Sequence, residues 1–87
     1  MPNWVKFQTK LLSGLADQGI RFSELLGYLK HLGFEVRIKG SHHILVKTSV
    51  VEIIVLQPGQ NGDAKPYQVK QVRRIVENYK LGIKNEI

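Results

Sequence analysis

The chain predicts a small α+β domain of two layers, with helices on one face of a three-stranded antiparallel sheet. Three observations predict it. Two apolar stripes at helical spacing open the chain, the period then drops from 3.6 to 2 through three short runs, and a helical pattern returns after a loop rich in glycine and proline. Strands this close in sequence have room only for tight turns, so they form an antiparallel meander. The order helix, helix, three strands, helix then packs as helices over one sheet face.

The first stripe runs from Asn3 to about Leu15, with Asn3 as cap and Trp4, Phe7, Leu11, Leu12 and Leu15 recurring on one side. Gly19 marks the loop that follows. Ser23 caps a second helix, Glu24 suits its positive end, and Phe22, Leu25, Leu26, Leu29 and Leu32 form its apolar face before Gly33 stops it. Gly27 lies inside this helix and costs about 1 kcal/mol relative to alanine, which close packing would explain. Phe34, Val36 and Ile38 then alternate with Glu35, Arg37 and Lys39. Gly40 and Ser41 turn the chain into a strand from His42 to Lys47, and Thr48 and Ser49 turn it into another from Val50 to Leu56. Gln57 to Lys65 is loop. Pro66 opens the last helix, which reaches about Lys80 with Val69, Val72, Ile75, Val76 and Tyr79 inward and Lys70, Arg73, Arg74 and Glu77 outward. Gly82 to Ile87 reads as a frayed end.

Eighty-seven residues without cysteine make a single domain held by packing, with neither disulfides nor zinc–thiolate sites. No stretch approaches the roughly 20 apolar residues that cross a bilayer, and the first residues lack a signal-peptide pattern, so a cytoplasmic protein is expected. Thirteen lysines and arginines against seven acidic residues favour polyanionic partners, nucleic acid first and an acidic protein second. No phosphate loop, HExxH motif or carboxylate cluster appears, and neither metal nor cofactor is called for.

The dense chemical feature is Gly40-Ser41-His42-His43, at the turn into the second strand. Alternation places His42 and His43 on opposite faces. With Ile44 and Val46 taken as the core pair, His42 falls on the core-side edge and His43, Leu45 and Lys47 face outward. An imidazole, with an ordinary pKa of about 6.5, can accept or donate a proton near neutrality. RNA carries its own nucleophile, the 2′-hydroxyl, and its cleavage needs a base, an acid and positive charge near phosphorus. Lys39, Lys47, Lys65 and Arg73 are candidates for the charge. Paired histidines beside a turn are nevertheless more often structural than catalytic. His31, near the end of the second helix, is explained by the helix dipole. Lys65, Lys70, Arg73 and Arg74 gather at the start and along one side of the last helix, where phosphate contact competes with a solvated face paired to Glu77.

At these residues the sequence resembles the HicA toxins, the RNase partners of HicAB toxin–antitoxin pairs. The resemblance runs from about Arg21 to Leu81, most specifically in Arg37–His43 (RIKGSHH) directly after a Leu-Gly-Phe helix end. Lys65–Arg74 (KPYQVKQVRR) resembles a subgroup of the family. The resemblance implies a double-stranded-RNA-binding-like α-β-β-β-α fold and metal-independent mRNA cleavage by one histidine. In the family's Gly-Ser-x-His pattern that histidine corresponds to His43, and Gly40 corresponds to the turn residue. Ser41, His42 and the basic residues are assigned to RNA from the chain itself. Against that pattern, residues 1–20 are a helical extension that serves self-association or a partner, 21–82 are the RNA-binding and RNase domain, and 83–87 a flexible tail. Many members carry a Val-Pro segment and a second histidine after the third strand, where this chain has Leu56-Gln57-Pro58-Gly59.

The leading expectation is thus a toxin endoribonuclease acting on mRNA and neutralised by a HicB-like antitoxin over the His43 face, with Leu45 and the outward side of the third strand in the interface. The alternatives are a non-catalytic RNA-binding module, which reads duplex shape without a histidine, and a purely protein-binding partner.

Overall fold

The computed structural model describes residues 3–83 and shows the expected order of elements. Helix α1 spans Trp4–Ser13, and the Asn3 side chain accepts from the Lys6 amide at 3.0 Å as its cap. The helix stops two residues earlier than expected, at Gly14, which leaves Leu15 91% exposed and outside the stripe. Helix α2 spans Phe22–His31. Its cap is Arg21, which makes no side-chain capping bond, so Ser23 falls inside the first turn rather than before it. At its other end the Phe34 amide donates to Leu29 and the Gly33 amide to Lys30, the paired bonds of a Schellman stop.

The sheet orders β1 (Glu35–Lys39), β2 (His42–Lys47) and β3 (Val50–Leu56) side by side, both pairs antiparallel. Gly40 turns the first hairpin at φ +63°, a conformation that a side chain disfavours. Helix α3 spans Pro66–Asn78 and buries Val69, Val72, Ile75 and Val76. The loop before it is pinned rather than loose. Pro58 bridges Ala64, the Ala64 amide donates to Ile20, and Arg21 reaches both Asn61 and Asp63.

All three helices share one core with the sheet, including Phe7, Leu11, Leu25, Tyr28, Leu29, Leu45, Ile54 and Leu56. Helix α1 is therefore built into the fold rather than presented for docking. Its buried Gln8 accepts from the Tyr28 hydroxyl at 2.6 Å and from the Ile83 amide at 2.7 Å, and donates to the Ile83 carbonyl. Leu81 and Ile83 are half-buried against the core. Of the expected flexible tail, Ile83 is thus held, and residues 84–87 lie outside the described part. Gly27 meets Trp4 so closely that a β-carbon there would stand 2.7 Å from the indole.

One expectation about the sheet is reversed. Leu45 is fully buried, while Val46 is exposed. Alternation divides a strand into two sets but does not say which set faces the helices; pairing decides that. Val36 lies opposite Leu45, which lies opposite Ile54, and Ile38 lies opposite His43, which lies opposite Leu56. Residues directly opposite share a face, so His43, Leu45 and Lys47 lie on the helix side. His42, Ile44 and Val46 lie on the open side. Ile44 and Val46 belong to an apolar open face with Val51 (87% exposed), Ile53 (60%) and Val55.

Candidate RNA-cleavage site

Register, turn and loop build the site at one end of the sheet. Lys39 pairs with His42 and Ile38 with His43 across the first hairpin, and Leu56 pairs with His43 from the other side. His43 therefore sits between the two edge strands, on the helix side, where the start of α2 meets it. Its ring packs edge-on against Phe22, with centroids 4.9 Å apart and planes at 72°. Nδ1 is buried and has no hydrogen-bond partner. Packing, not an orienting carboxylate or carbonyl, fixes the ring. Nε2 is left as the nitrogen that can reach substrate.

His42 points to the other face, and its environment is polar. The Gln57 side-chain nitrogen lies 3.0 Å from His42 Nε2 and 3.0 Å from Ser41 Oγ. Gln57 is the residue after Leu56, the β3 partner of His43, so continuing the register places it opposite His42. The sequence held that signal, but Gln57 stood out there only as a position without a histidine.

The basic residues divide into groups. Lys39, Ser41 and His42 lie together at the turn. Lys65 caps α3 at the end of the loop that Gln57 begins, its stem packed over Gly59. Neither Lys65 at α3 nor Arg21 at α2 makes a side-chain cap, so the first amides of both helices are left uncapped by them. Lys47 lies four residues along β2 from His43, about 13 Å at strand spacing, with its ammonium beside Gly33. Lys70 and Arg74 are exposed on α3, and Lys70 lines an open hollow of about 370 Å³ with Gly14, Asp17 and Pro66.

Arg73 does not belong with them. Its guanidinium makes a two-pronged pair with Asp17 at 2.7 and 3.1 Å and donates to the Leu11 carbonyl, so it fastens α3 to α1 and the turn after it. Its partner is thus Asp17 across the fold. That pair holds the Asp17 carboxyl below its usual range, chiefly through the Arg73 hydrogen bond, and raises Arg73 in turn. His31 stacks on Trp4 at 5.8 Å, away from the site.

Among the described residues, no three histidine or carboxylate side chains gather to hold a metal ion, and no helix is long and apolar enough to cross a membrane. No curated protein and no solved structure matches the chain. The family model for the HicA toxin of bacterial toxin–antitoxin systems matches residues 22–77, from the ring that backs His43 to the last turns of α3. With an α-β-β-β-α unit over that span and a Gly-Ser-x-His turn at its centre, the chain belongs to the HicA toxin family, whose members are RNA-cleaving toxins of toxin–antitoxin pairs.

Proposed function

We propose that the protein is a metal-independent endoribonuclease toxin that cleaves mRNA through His43. The observation that carries this reading is the seating of His43, locked against Phe22 with Nδ1 buried, so that one nitrogen remains for proton transfer. Nε2 takes the proton of the RNA 2′-hydroxyl as general base. The 2′-oxygen attacks the adjacent phosphorus, the bond from phosphorus to the 5′-oxygen breaks, and a 2′,3′-cyclic phosphate forms. The departing 5′-oxygen takes up a proton from water, and the proton held on Nε2 is released to solvent, which returns His43 to its starting form. Ser41 at the turn and Lys65 at the start of α3 are the groups assigned here to steady the phosphate charge, while Lys39 and His42, on the open side of the sheet, hold the RNA backbone as it passes the turn. Lys47, Lys70 and Arg74 lie farther off and act, in this reading, on the flanking RNA backbone.

Cytoplasmic mRNA is the proposed substrate and a HicB-like antitoxin the proposed partner. The open face of β3, on the other side of the sheet from His43 and so not the face expected from sequence, supports such an interface, since Val51, Ile53 and Val55 stand exposed together. Leu45, expected there from sequence, is in the core and is withdrawn from it. Self-association through α1 has little to offer, because Phe7 and Leu11 are already buried within the chain.

The test is cleavage of labelled single-stranded RNA by wild type and His43→Ala, each purified with excess EDTA. Cleavage by wild type alone is expected, with the variant keeping its fold and RNA affinity. Cleavage retained in pure His43→Ala would overturn the assignment. Bound but intact RNA with both proteins would instead support the non-catalytic module.

A further inference from the structure

Gln57 occupies an unusual position in the hydrogen-bond pattern. Its amide nitrogen has two hydrogens, and two acceptors lie at 3.0 Å from it, Ser41 Oγ and His42 Nε2. Each bond sets the direction of its partner. A Ser41 oxygen that accepts from Gln57 leaves its own hydroxyl hydrogen free to donate elsewhere. A His42 ring that accepts at Nε2 carries its proton on Nδ1, and so presents Nδ1–H on the exposed side of the turn.

The backbone of Gln57 is itself held. Gln68, on the first turns of α3, is only 2% exposed. With its amide turned to satisfy both groups, it donates to the Gln57 carbonyl and accepts from the Gln57 amide, each at 3.1 Å. Pro58 follows directly and confines the Gln57 backbone to extended conformations. A buried side chain thus fixes the backbone of Gln57, and the side chain of Gln57 fixes two groups beside His43.

We propose that Gln57 is a positioning residue that sets Ser41 and His42 as a pair of neutral hydrogen-bond donors for an RNA phosphodiester, leaving proton transfer to His43. The catalytic consequence rests on the cleavage reading above; the donor pair itself does not. His42 and His43 lie on opposite faces of β2, so their imidazoles do not form an acid–base couple with each other. A phosphate backbone crossing the turn would meet Ser41 and His42 first, and each neutral donor can bind a phosphate oxygen without a charge that must be desolvated.

Three measurements on wild type, Gln57→Ala and Gln57→Glu test this. Imidazole ¹⁵N shifts at about pH 8, where histidine rings are neutral, report the tautomer of His42. Affinity for an oligonucleotide lacking the reactive 2′-hydroxyl reports phosphate binding without turnover. Single-turnover cleavage of the matching RNA reports catalysis. Wild-type His42 is expected as the Nδ1–H form, reverting to the commoner Nε2–H form in Gln57→Ala and in Gln57→Glu, whose carboxylate can only accept. Affinity of Gln57→Ala is expected to weaken about fivefold, the loss of roughly one hydrogen bond. Its cleavage rate is expected to fall about tenfold with an unchanged melting temperature. An Nε2–H His42 in wild type overturns the proposal, as does Gln57→Ala with wild-type tautomer and affinity. A wild type that does not cleave RNA removes the cleavage reading, and the tautomer and affinity results still decide the donor pair.

Discussion

A single aromatic contact decides how the His43 ring is held. Catalytic histidines are commonly steered by a hydrogen bond on the nitrogen that does not meet substrate; in the proposed role of His43 that nitrogen is Nδ1, which lies buried and unpaired near Phe22. The ring is aimed by shape. Gly27 shows the same economy in the core, where the absent side chain is what lets Trp4 lie across α2 and stack on His31. Gly27→Ala gains about 1 kcal/mol of helix propensity but forces the indole away from a contact at 2.7 Å. Overpacking of this kind costs about 1–3 kcal/mol, so a net loss of about 1 kcal/mol is expected in urea unfolding, and a stabilised variant would contradict the packing. The sequence marked Gly27 as a residue in need of a reason, and the reason is in space. It failed at β2 for a related cause. Ile44 and Val46 look like core residues beside Leu45, and only the pairing of Leu45 with Val36 and Ile54 shows which set faces the helices.

Between elements, the fastening of α1 to α3 is ionic as well as apolar. Asp17 lies in the turn after α1 and Arg73 in the middle of α3, their side chains 12% and 18% exposed. The folded carboxyl titrates below its ordinary value of 3.8 because Arg73 donates to it. The unfolded chain therefore binds the proton more readily. The pair's contribution to stability is complete above that ordinary value and is lost as pH falls through the lower, folded one. Thermal unfolding is expected to show a falling midpoint below about pH 4, less steep in Asp17→Asn. At neutral pH that variant is expected to cost about 1.5 kcal/mol, because Arg73 keeps only weaker partners in a half-buried place. An acid profile identical to wild type would mean the pair contributes nothing. The strand boundaries themselves were legible, since alternation marks the strands, Gly40 the first hairpin turn and Thr48-Ser49 the second. The long-range partners were not. Arg73 reads as one more cation on a basic helix until Asp17, 56 residues away, is seen beside it.

For the molecule as a whole, the net charge of +6 is unevenly useful. Arg73 is neutralised by Asp17, and Arg21 is tied to Asp63, which leaves the cations around the turn and the start of α3 for RNA. If about four phosphates are contacted on a single strand, affinity falls about 50-fold between about 50 and about 200 mM salt. A flat salt response, measured by anisotropy with the non-cleavable oligonucleotide, would rule out a phosphate-led interface. The family's outline was visible in the Gly-Ser-x-His turn and the helix-to-strand switch, because both depend on local spacing. The support behind the site depends on Gln68 and Phe22, which local spacing does not bring to the turn.

The clamp of Gln8 on Ile83 joins residues 75 apart in the chain. During synthesis α1 leaves the ribosome well before Ile83, which supplies two of the three hydrogen bonds of its buried Gln8 amide, Tyr28 supplying the third. Until Ile83 emerges, Gln8 faces a core that cannot close around it, and the helix has only part of its final surroundings. A nascent chain carrying the complete turn around His43 is therefore still without the contact that Ile83 supplies to Gln8. For a member of a toxin family, this order of events keeps closure of the core around Gln8 behind synthesis through Ile83.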